Sequence, residues 1–293
     1  ESGALGRLPF IQIDSLDKEN ARVVFQGTEG AYGQAAMHQF FGDDVNCFHV
    51  RTFRDAMEAI EEGSADYAVL PIENSSAGPV NEMYDLLDEF ENYIVAETIL
   101  PVVHTLSGLP GTKLSEIKRV YSKAEALMQT TRFLDDHSDW QRISVVNTAI
   151  AAKKVLEDQD KAQAAVCSTY AAKLHGLEVL VDEINDEEDN STRFIVVTNQ
   201  KIFLKDASKI SIEFELPHES GSLYNILSHF IYNDLNMTKI ESRPVEGKQW
   251  EYRFFVDFDG NLEDAAVKNA IRGLREEARN LRILGNYSID GQI

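Results

Sequence analysis

From residue 22 to about residue 200, short apolar runs alternate with stretches of helical spacing, and this alternation restricts the chain to one fold class. Strands are expected at 23–25, 45–50, 67–72 and 93–103, with helices at 31–41, 53–61 and 81–90 between them. A second series places strands at 119–122, 143–147 and 164–168 and helices at 125–135, 148–157 and 168–175. A loop at 182–190 leads to a strand at 191–198. Repeated β-then-α units predict parallel sheets with helices on both faces. After a boundary near 201–208 the style changes: strand 209–216, helix 222–233, strands 237–242 and 250–259, helix 262–279, strand 281–289. That βαββαβ order predicts a ferredoxin-like unit. The first 20 residues show no firm period and read as a linker or tail.

The 293 residues carry 28 Lys and Arg against 49 Asp and Glu, a net charge of −21. Such a chain repels phosphate backbones and anionic lipid, so neither nucleic acid nor membrane is an expected partner. No apolar run approaches the ~20 residues of a bilayer span, and no signal-peptide pattern opens the sequence. Cys47 and Cys167 each sit in a strand-like run, which argues against a disulfide framework and for a reducing cytoplasm. The seven histidines are scattered without metal-ligand spacing, so no metal or other cofactor is expected.

Polar residues gather where strands end and helices begin. FQGTEGAYG (25–33) is a glycine-rich turn that fits neither the dinucleotide fingerprint nor the phosphate-loop pattern, yet a helix start of this kind attracts anions. LPIENSSAG (70–78) places Glu73, Asn74, Ser75 and Ser76 at a strand end, where open α/β sheets hold ligands. Ser122 and Gln129 flank another such junction. Asn147 with Thr148, and Ser168 with Thr169, begin two more helices and serve equally well as ordinary caps. DNSTRF (189–194) enters a strand from the acidic loop. There Thr192 offers a hydroxyl and Arg193 a bidentate clamp for a carboxylate. In the last unit, Gly221 joins a strand to a helix, and KIESRP (239–244) ends the next strand.

Together these segments resemble the prephenate dehydratase family with its attached ACT regulatory domain. FQGTEGAYGQAA, ADYAVLPIENSSAGPV, VYSKAEALMQ, the helix start at Thr148, AAVCSTYAAKLHGLEVL, DNSTRF, GSLYNIL and ESRP occur in the family's order and span Arg22 to Gly285. The resemblance implies an α/β catalytic domain of two lobes, like a type II periplasmic binding protein, followed by a ferredoxin-like βαββαβ ACT domain. The expected division is a tail at 1–20, a dehydratase domain at 21–200 and the ACT domain at 208–293. Lobe one takes 21–99 and 185–200, and lobe two 100–184.

The implied activity is decarboxylating dehydration of prephenate to phenylpyruvate, with L-phenylalanine as inhibitor and ACT domains pairing subunits into a homodimer or homotetramer. Thr192, Arg193, Glu73 and Asn74 fall on catalytic positions, with Glu73 as the candidate proton source. Ser75, Ser76, Ser122, Gln129, Thr148, Ser168, Thr169 and Phe194 are the expected substrate contacts. Gly221, Ser222, Leu223, Glu241, Ser242, Arg243 and Pro244 fall on effector motifs. Lys123-Ala124-Glu125 replaces a His-Pro-Gln-like run common in the family, and Ser222 replaces an alanine. The opening residues resemble the segment that follows a chorismate mutase domain in bifunctional relatives, and the first residue, Glu1, suggests a processed chain. Arogenate dehydratase, a non-catalytic amino-acid sensor and a solute-binding protein are the competing readings.

Overall fold

The structure is a computed structural model that describes residues 9–217 and 219–289, so residues 1–8 of the expected tail and the last four of the expected ACT domain lie outside the described residues. The strands are β1 Ile11–Ile13, β2 Arg22–Gln26, β3 Asn46–Val50, β4 Tyr67–Asn74, β5 Gly78–Pro79, β6 Tyr93–Pro101, β7 Thr105–Gly108, β8 Arg119–Ser122, β9 Gln141–Ser144, β10 Gln163–Cys167, β11 Glu178–Val181, β12 Ser191–Thr198, β13 Ile202–Leu204, β14 Lys209–Leu216, β15 Met237–Pro244, β16 Tyr252–Asp259 and β17 Arg279–Tyr287. The helices are α1 Tyr32–Phe41, α2 Phe53–Glu62, α3 Asn81–Glu89, α4 Ala124–Met128, α5 Thr131–Asp135, α6 Thr148–Asp158, α7 Thr169–Leu174, α8 Ser222–Tyr232 and α9 Ala265–Glu277. Among them, no helix is long and apolar enough to cross a membrane.

Two large sheets organise the chain. The five-stranded sheet runs β11-β7-β10-β8-β9, and the ten-stranded sheet runs β15-β16-β14-β17-β6-β12-β4-β2-β3 with β5 paired to β4. Both are mixed, which corrects the expectation of parallel sheets. β12 lies antiparallel to β4 and β6, and β7 lies antiparallel to β10 and β11. The reason is that the chain crosses from one sheet to the other after β6 and returns before β12, so β12 enters the larger sheet from the opposite end.

Strand alternation divides the core of the larger sheet. Val24, Leu70, Ile195 and Val197 pack with Met57, Ile60 and Met83 on one face, whereas Val23, Phe25, Val69, Phe194 and Val196 pack with Met37 and Phe40 on the other. At the end of β4 this alternation breaks. Arg193 is opposite Glu73 and Phe194 is opposite Pro71, which leaves Ile72 without a partner. The extra residue is a β-bulge, and it reverses which side chains beyond it face each way.

The C-terminal unit has strand order β15-β16-β14-β17 with connectivity βαββαβ, and α8 and α9 pack on one face around Phe214, Phe230 and Phe258. Its sheet continues the larger sheet through the parallel pairing of Gly285 with Ile94 and a parallel bridge from Ile289 to Glu97.

Three further expectations are corrected. β1 pairs with β13, so the opening segment and the boundary region both contain sheet, and Phe10 stands edge-on to Tyr93 with ring centroids 5.4 Å apart. Strands of three residues are too short to show a period. The helix expected at 125–135 is two short helices. Thr130 breaks it by turning its hydroxyl back to Ala126 O at 2.9 Å, and Asp186 caps the second piece through the amides of Thr131 and Arg132. The strand expected at 143–147 ends earlier, at Ser144, because Asn147 serves as the N-cap of α6 and accepts from Ile150 N at 2.7 Å.

Candidate active site

Between the two sheets lies a cleft of about 490 Å³, walled by Val69, Pro71 and Phe194 from one side and by Lys123, Gln129, Asn147 and Thr148 from the other. Its centre is a pair of side chains from neighbouring antiparallel strands. Asn74 Nδ2 donates to Thr192 Oγ1 at 2.9 Å, and to Ser191 O at 3.1 Å. The other end of the same amide is held too: Asn74 Oδ1 accepts from the amides of Ser76 and Ala77, both at 2.9 Å. The Asn74 amide is therefore fixed in one orientation. Thr192 receives a hydrogen bond on its oxygen and keeps its own O–H to donate elsewhere.

A second polar group closes the cleft beside this pair. His104 Nδ1 accepts from Tyr32 Oη at 3.0 Å, and His104 Nε2 donates to Gln129 Oε1 at 2.8 Å. Gln129 Oε1 also accepts from Asn190 Nδ2 at 3.3 Å. Because the Gln129 oxygen can only accept, the histidine proton sits on Nε2. Burial lowers the His104 pKa, so the ring is neutral at physiological pH, and it raises the Tyr32 pKa far beyond the usual phenol range. Tyr32 and His104 were not among the residues expected from sequence, and Lys123 stood there only as a departure from the family's pattern that could add positive charge. His104 stands alone at the end of an apolar run, and a lone histidine carries no spacing signal.

Of the expected site residues, the cleft brings together Asn74, Gln129, Thr148, Thr192 and Phe194. It does not contain Arg193 or Glu73. Adjacent residues on a strand face opposite ways, so with Thr192 in the cleft Arg193 points behind it. There Arg193 Nε donates to Glu73 Oε1 at 2.8 Å. Glu73 would share the cleft face with Val69 and Pro71 if β4 were regular; the bulge at Ile72 turns it away and brings Asn74 in.

The serines are mostly structural. Ser122 is buried and donates to Val166 O at 2.7 Å. Ser168 caps α7 by accepting from Ala171 N at 3.0 Å, and Thr169, the next residue, begins that helix outside the cleft. Ser75 accepts from Ser191 N at 2.9 Å, while Ser76 donates to Glu187 at 2.8 Å in a side groove. These two tie the loop after β4 to the segment before β12 instead of reaching inward. No three His, Cys, Asp or Glu side chains among the described residues are placed to hold a metal ion.

A second groove, about 500 Å³, opens on the C-terminal unit and is lined by Gly221, Ser222, Leu223, Ser242, Tyr252 and Phe254, among others. Gly221 adopts φ +78° as the residue before α8, a left-handed turn that suits glycine. Alternation on β15 again splits the expected set. Ser242 lines the groove, whereas Glu241 and Arg243 face the other way: Glu241 lies 3.4 Å from Lys239, and Arg243 grips Asp85 of α3 at 2.8 and 2.9 Å. Pro244 ends the strand, outside the lining.

The fold and these two depressions define an α/β protein with a small-molecule cleft between its sheets and a second groove on a ferredoxin-like unit. A sequence model of the prephenate dehydratase family matches residues 23–202. The chain is 37% identical to arogenate dehydratase/prephenate dehydratase 2 of Arabidopsis thaliana, across 92% of this chain and 73% of the relative. It superimposes on a prephenate dehydratase from Arthrobacter aurescens in complex with L-Phe, at 33% identity and TM-score 0.84, covering 91% of this chain and 89% of the other. GqqA, described as a novel type of quorum-quenching acylase, is similar at 30% identity and TM-score 0.84, covering 92% and 98%. The chain belongs to the prephenate dehydratase family.

Proposed function

We propose that the chain converts prephenate to phenylpyruvate on the route to L-phenylalanine, and that its C-terminal unit is an ACT regulatory domain. The hydrogen-bonded Asn74–Thr192 pair in the cleft carries this reading. Residues 21–200 then form the dehydratase domain, built like a type II periplasmic binding protein. Lobe one takes 21–99 with 185–200, lobe two 100–184, and residues 208–293 form the ACT domain. Lining residues drawn from both sheets support the two-lobe description.

Prephenate brings two carboxylates and a ring hydroxyl. In the elimination, the electrons of the bond to the departing carboxylate enter the ring as the carbon–oxygen bond breaks. Carbon dioxide and hydroxide depart, the hydroxide taking up a proton from solvent to become water, and an aromatic product remains. Charge grows on the departing oxygen, and the free O–H of Thr192 is aimed to meet it. A fixed donor of this kind acts without reorganising during the reaction. Threonine is too weak an acid to surrender its proton, so its part is polarisation. Glu73 is withdrawn as proton source, since Arg193 and Lys239 hold it behind the sheet.

Arg193 is withdrawn as the carboxylate clamp for the same geometric reason. Lys123 is the one Lys or Arg among the described cleft residues, and it takes that role together with the helix starts at Tyr32 and Thr148. Acyl transfer, the activity named for GqqA, requires a nucleophile beside a base. The Asn74 group that touches Thr192 is an amide N–H, a donor, and His104 is engaged by Tyr32 and Gln129. This environment suits polarisation of a leaving group rather than nucleophilic attack.

The groove at Gly221, Ser222, Leu223 and Ser242 is the proposed L-phenylalanine site. Tyr224, which lines it, and Ile231, Tyr232 and Ile240 elsewhere on α8 and β15 are exposed, apolar surface that a second copy would cover in a homodimer or homotetramer. The test is incubation with prephenate, with and without L-phenylalanine, following phenylpyruvate by ultraviolet absorption, with arogenate in a parallel arm. Phenylpyruvate formation that phenylalanine suppresses is expected; no turnover of prephenate would remove the assignment.

A further inference from the structure

Behind the cleft, charged side chains from the two parts of the larger sheet interlock. Arg193, its side chain 10% exposed, donates to Glu73 at 2.8 Å and to the fully buried Glu97 at 2.9 Å, with Asp257 3.7 Å away. Glu97 also accepts from Lys209 Nζ at 2.7 Å. Lys239 pairs with the second oxygen of Glu73. Glu73, Glu97 and Arg193 lie on β4, β6 and β12, whereas Lys209, Lys239 and Asp257 lie on β14, β15 and β16 of the C-terminal unit. A half-dismantled cluster of this kind would leave a buried charge without compensation, so its members move together or not at all.

Two of these residues are chain neighbours of the cleft pair: Glu73 precedes Asn74, and Arg193 follows Thr192. A backbone shift that follows Glu73 or Arg193 therefore reaches the Asn74–Thr192 hydrogen bond within one residue. The bulge at Ile72 adjoins this point, where the ladder between β4 and β12 is already interrupted and yields most easily. At the other end of the connection, Lys239 and Ser242 sit three residues apart on β15, about 10 Å along a strand, and Ser242 lines the C-terminal groove.

We propose that Glu73 and Arg193 are positioning residues that set the Asn74–Thr192 pair from behind. Through Lys239 and Asp257 they also make it responsive to the occupant of the C-terminal groove. The inference rests on the prephenate dehydratase reading for its activity readout. An occupant that displaces β15 draws Lys239 away from Glu73. Both side chains are only partly exposed, so that separation costs more than it would between fully solvated charges. Glu73 and its neighbour Asn74 then settle differently, and only an effector that distinguishes the two arrangements shifts their balance.

The test compares the full chain with its Lys239→Met and Lys239→Arg variants, titrating L-phenylalanine against the rate of prephenate consumption. Lys239→Met already lacks the pair that the effector would break, so without phenylalanine its kcat falls about tenfold toward the inhibited rate and phenylalanine lowers it little further; Lys239→Arg restores the wild-type rate and response. Glu73→Gln lowers kcat about tenfold with KM little changed, because it disturbs the pair without touching substrate. Amide hydrogen exchange across 190–195, which needs no substrate, is expected to be faster in Lys239→Met than in the wild type. Wild-type phenylalanine inhibition in Lys239→Met overturns the coupling. If the wild type consumes no prephenate, or ignores phenylalanine, the functional reading fails. The exchange comparison then decides the positioning claim: faster exchange supports it and equal exchange refutes it.

Discussion

The backbone of Gly285 on β17 lies directly against that of Ile94 on β6, and this pairing, with a parallel bridge from Ile289 to Glu97, merges the C-terminal sheet with the larger sheet. A Cβ at position 285 would collide with the Ile94 carbonyl, a backbone group that no side-chain rotation can move aside. Nearby, Glu97 N donates to Ser288 O at 3.2 Å, so the contact is short and closely fitted. Gly285→Ala is expected to destabilise the join by about 1–3 kcal/mol, the usual scale for overpacking a tight site. Thermal unfolding checks this: a lowered melting temperature is expected, with greater proteolysis near 205–210. An unchanged melting temperature would show that β6 and β17 separate freely.

The orientation of the cleft pair leads to the second expectation. Asn74 is clamped at both ends, and it leaves the Thr192 hydroxyl hydrogen free. Thr192→Ala removes the donor and is expected to lower kcat about 100-fold or more, whereas Thr192→Ser keeps the hydroxyl and most of the rate. Asn74→Ala releases Thr192 to rotate and should cost at least about tenfold in kcat. Steady-state kinetics on prephenate measures all three, and near-wild-type turnover in Thr192→Ala would take this residue out of the reaction.

Much of this arrangement was legible because strong local patterns coincide with the elements: β8, β12 and β14 fall on the residues expected from their apolar runs. Asn74 and Thr192 stood out as polar residues at strand ends, a signal shared by Ser75, Ser122 and Ser168, which the fold uses as ties and caps; the pairing of β4 with β12 is what brings the two together in the cleft. Arg193 and Glu73 were misplaced for two distinct reasons. Arg193 neighbours Thr192 on a regular strand, so the two never shared a face, and period-2 geometry alone excludes the pair. Glu73 was excluded by a bulge at Ile72, which depends on pairing between β4 and a strand more than 100 residues later. No local window reports that. The same holds for the Gly285–Ile94 contact and for β1, β7, β11 and β13, whose three or four residues are recruited by neighbours instead of by their own periodicity.

Lys123 gives the third expectation. It is the cation that lines the cleft, and its ammonium lies 3.6 Å from the Glu125 carboxylate. A dianionic substrate competes with Glu125 for this charge in a chain whose overall field is repulsive. Lys123→Ala is expected to raise KM about tenfold with kcat little changed, the scale of one charge-assisted contact made equally in the ground and transition states. Glu125→Gln should lower KM by freeing the lysine. Added salt should raise the wild-type KM more than that of Lys123→Ala. Equal KM values in wild type and Lys123→Ala would assign carboxylate binding to the helix starts alone.

Glu213 gives the C-terminal unit one source of pH dependence. It lies beneath the C-terminal sheet with Arg282 at 3.6 Å and Arg253 at 3.9 Å, both too distant for hydrogen bonds, and its Oε2 has no hydrogen-bond partner. Burial, reinforced by Asp88, therefore outweighs the two guanidinium groups and pushes its pKa from 4.5 up to about 8. The proximity of the arginines suggests an ion pair, but the missing hydrogen bonds favour the neutral acid. Between these two pKa values the folded chain holds a proton that the unfolded chain has released. The contribution of Glu213 to stability consequently falls as pH rises from about 4.5 to about 8 and levels off above that, where both states are ionised. Glu213→Gln keeps the neutral shape and removes the titration. Melting temperatures measured from pH 5 to 9 are expected to decline more steeply in the wild type than in Glu213→Gln, with the variant the more stable at pH 8 and above. Parallel curves would mean that Arg253 and Arg282 keep Glu213 charged throughout.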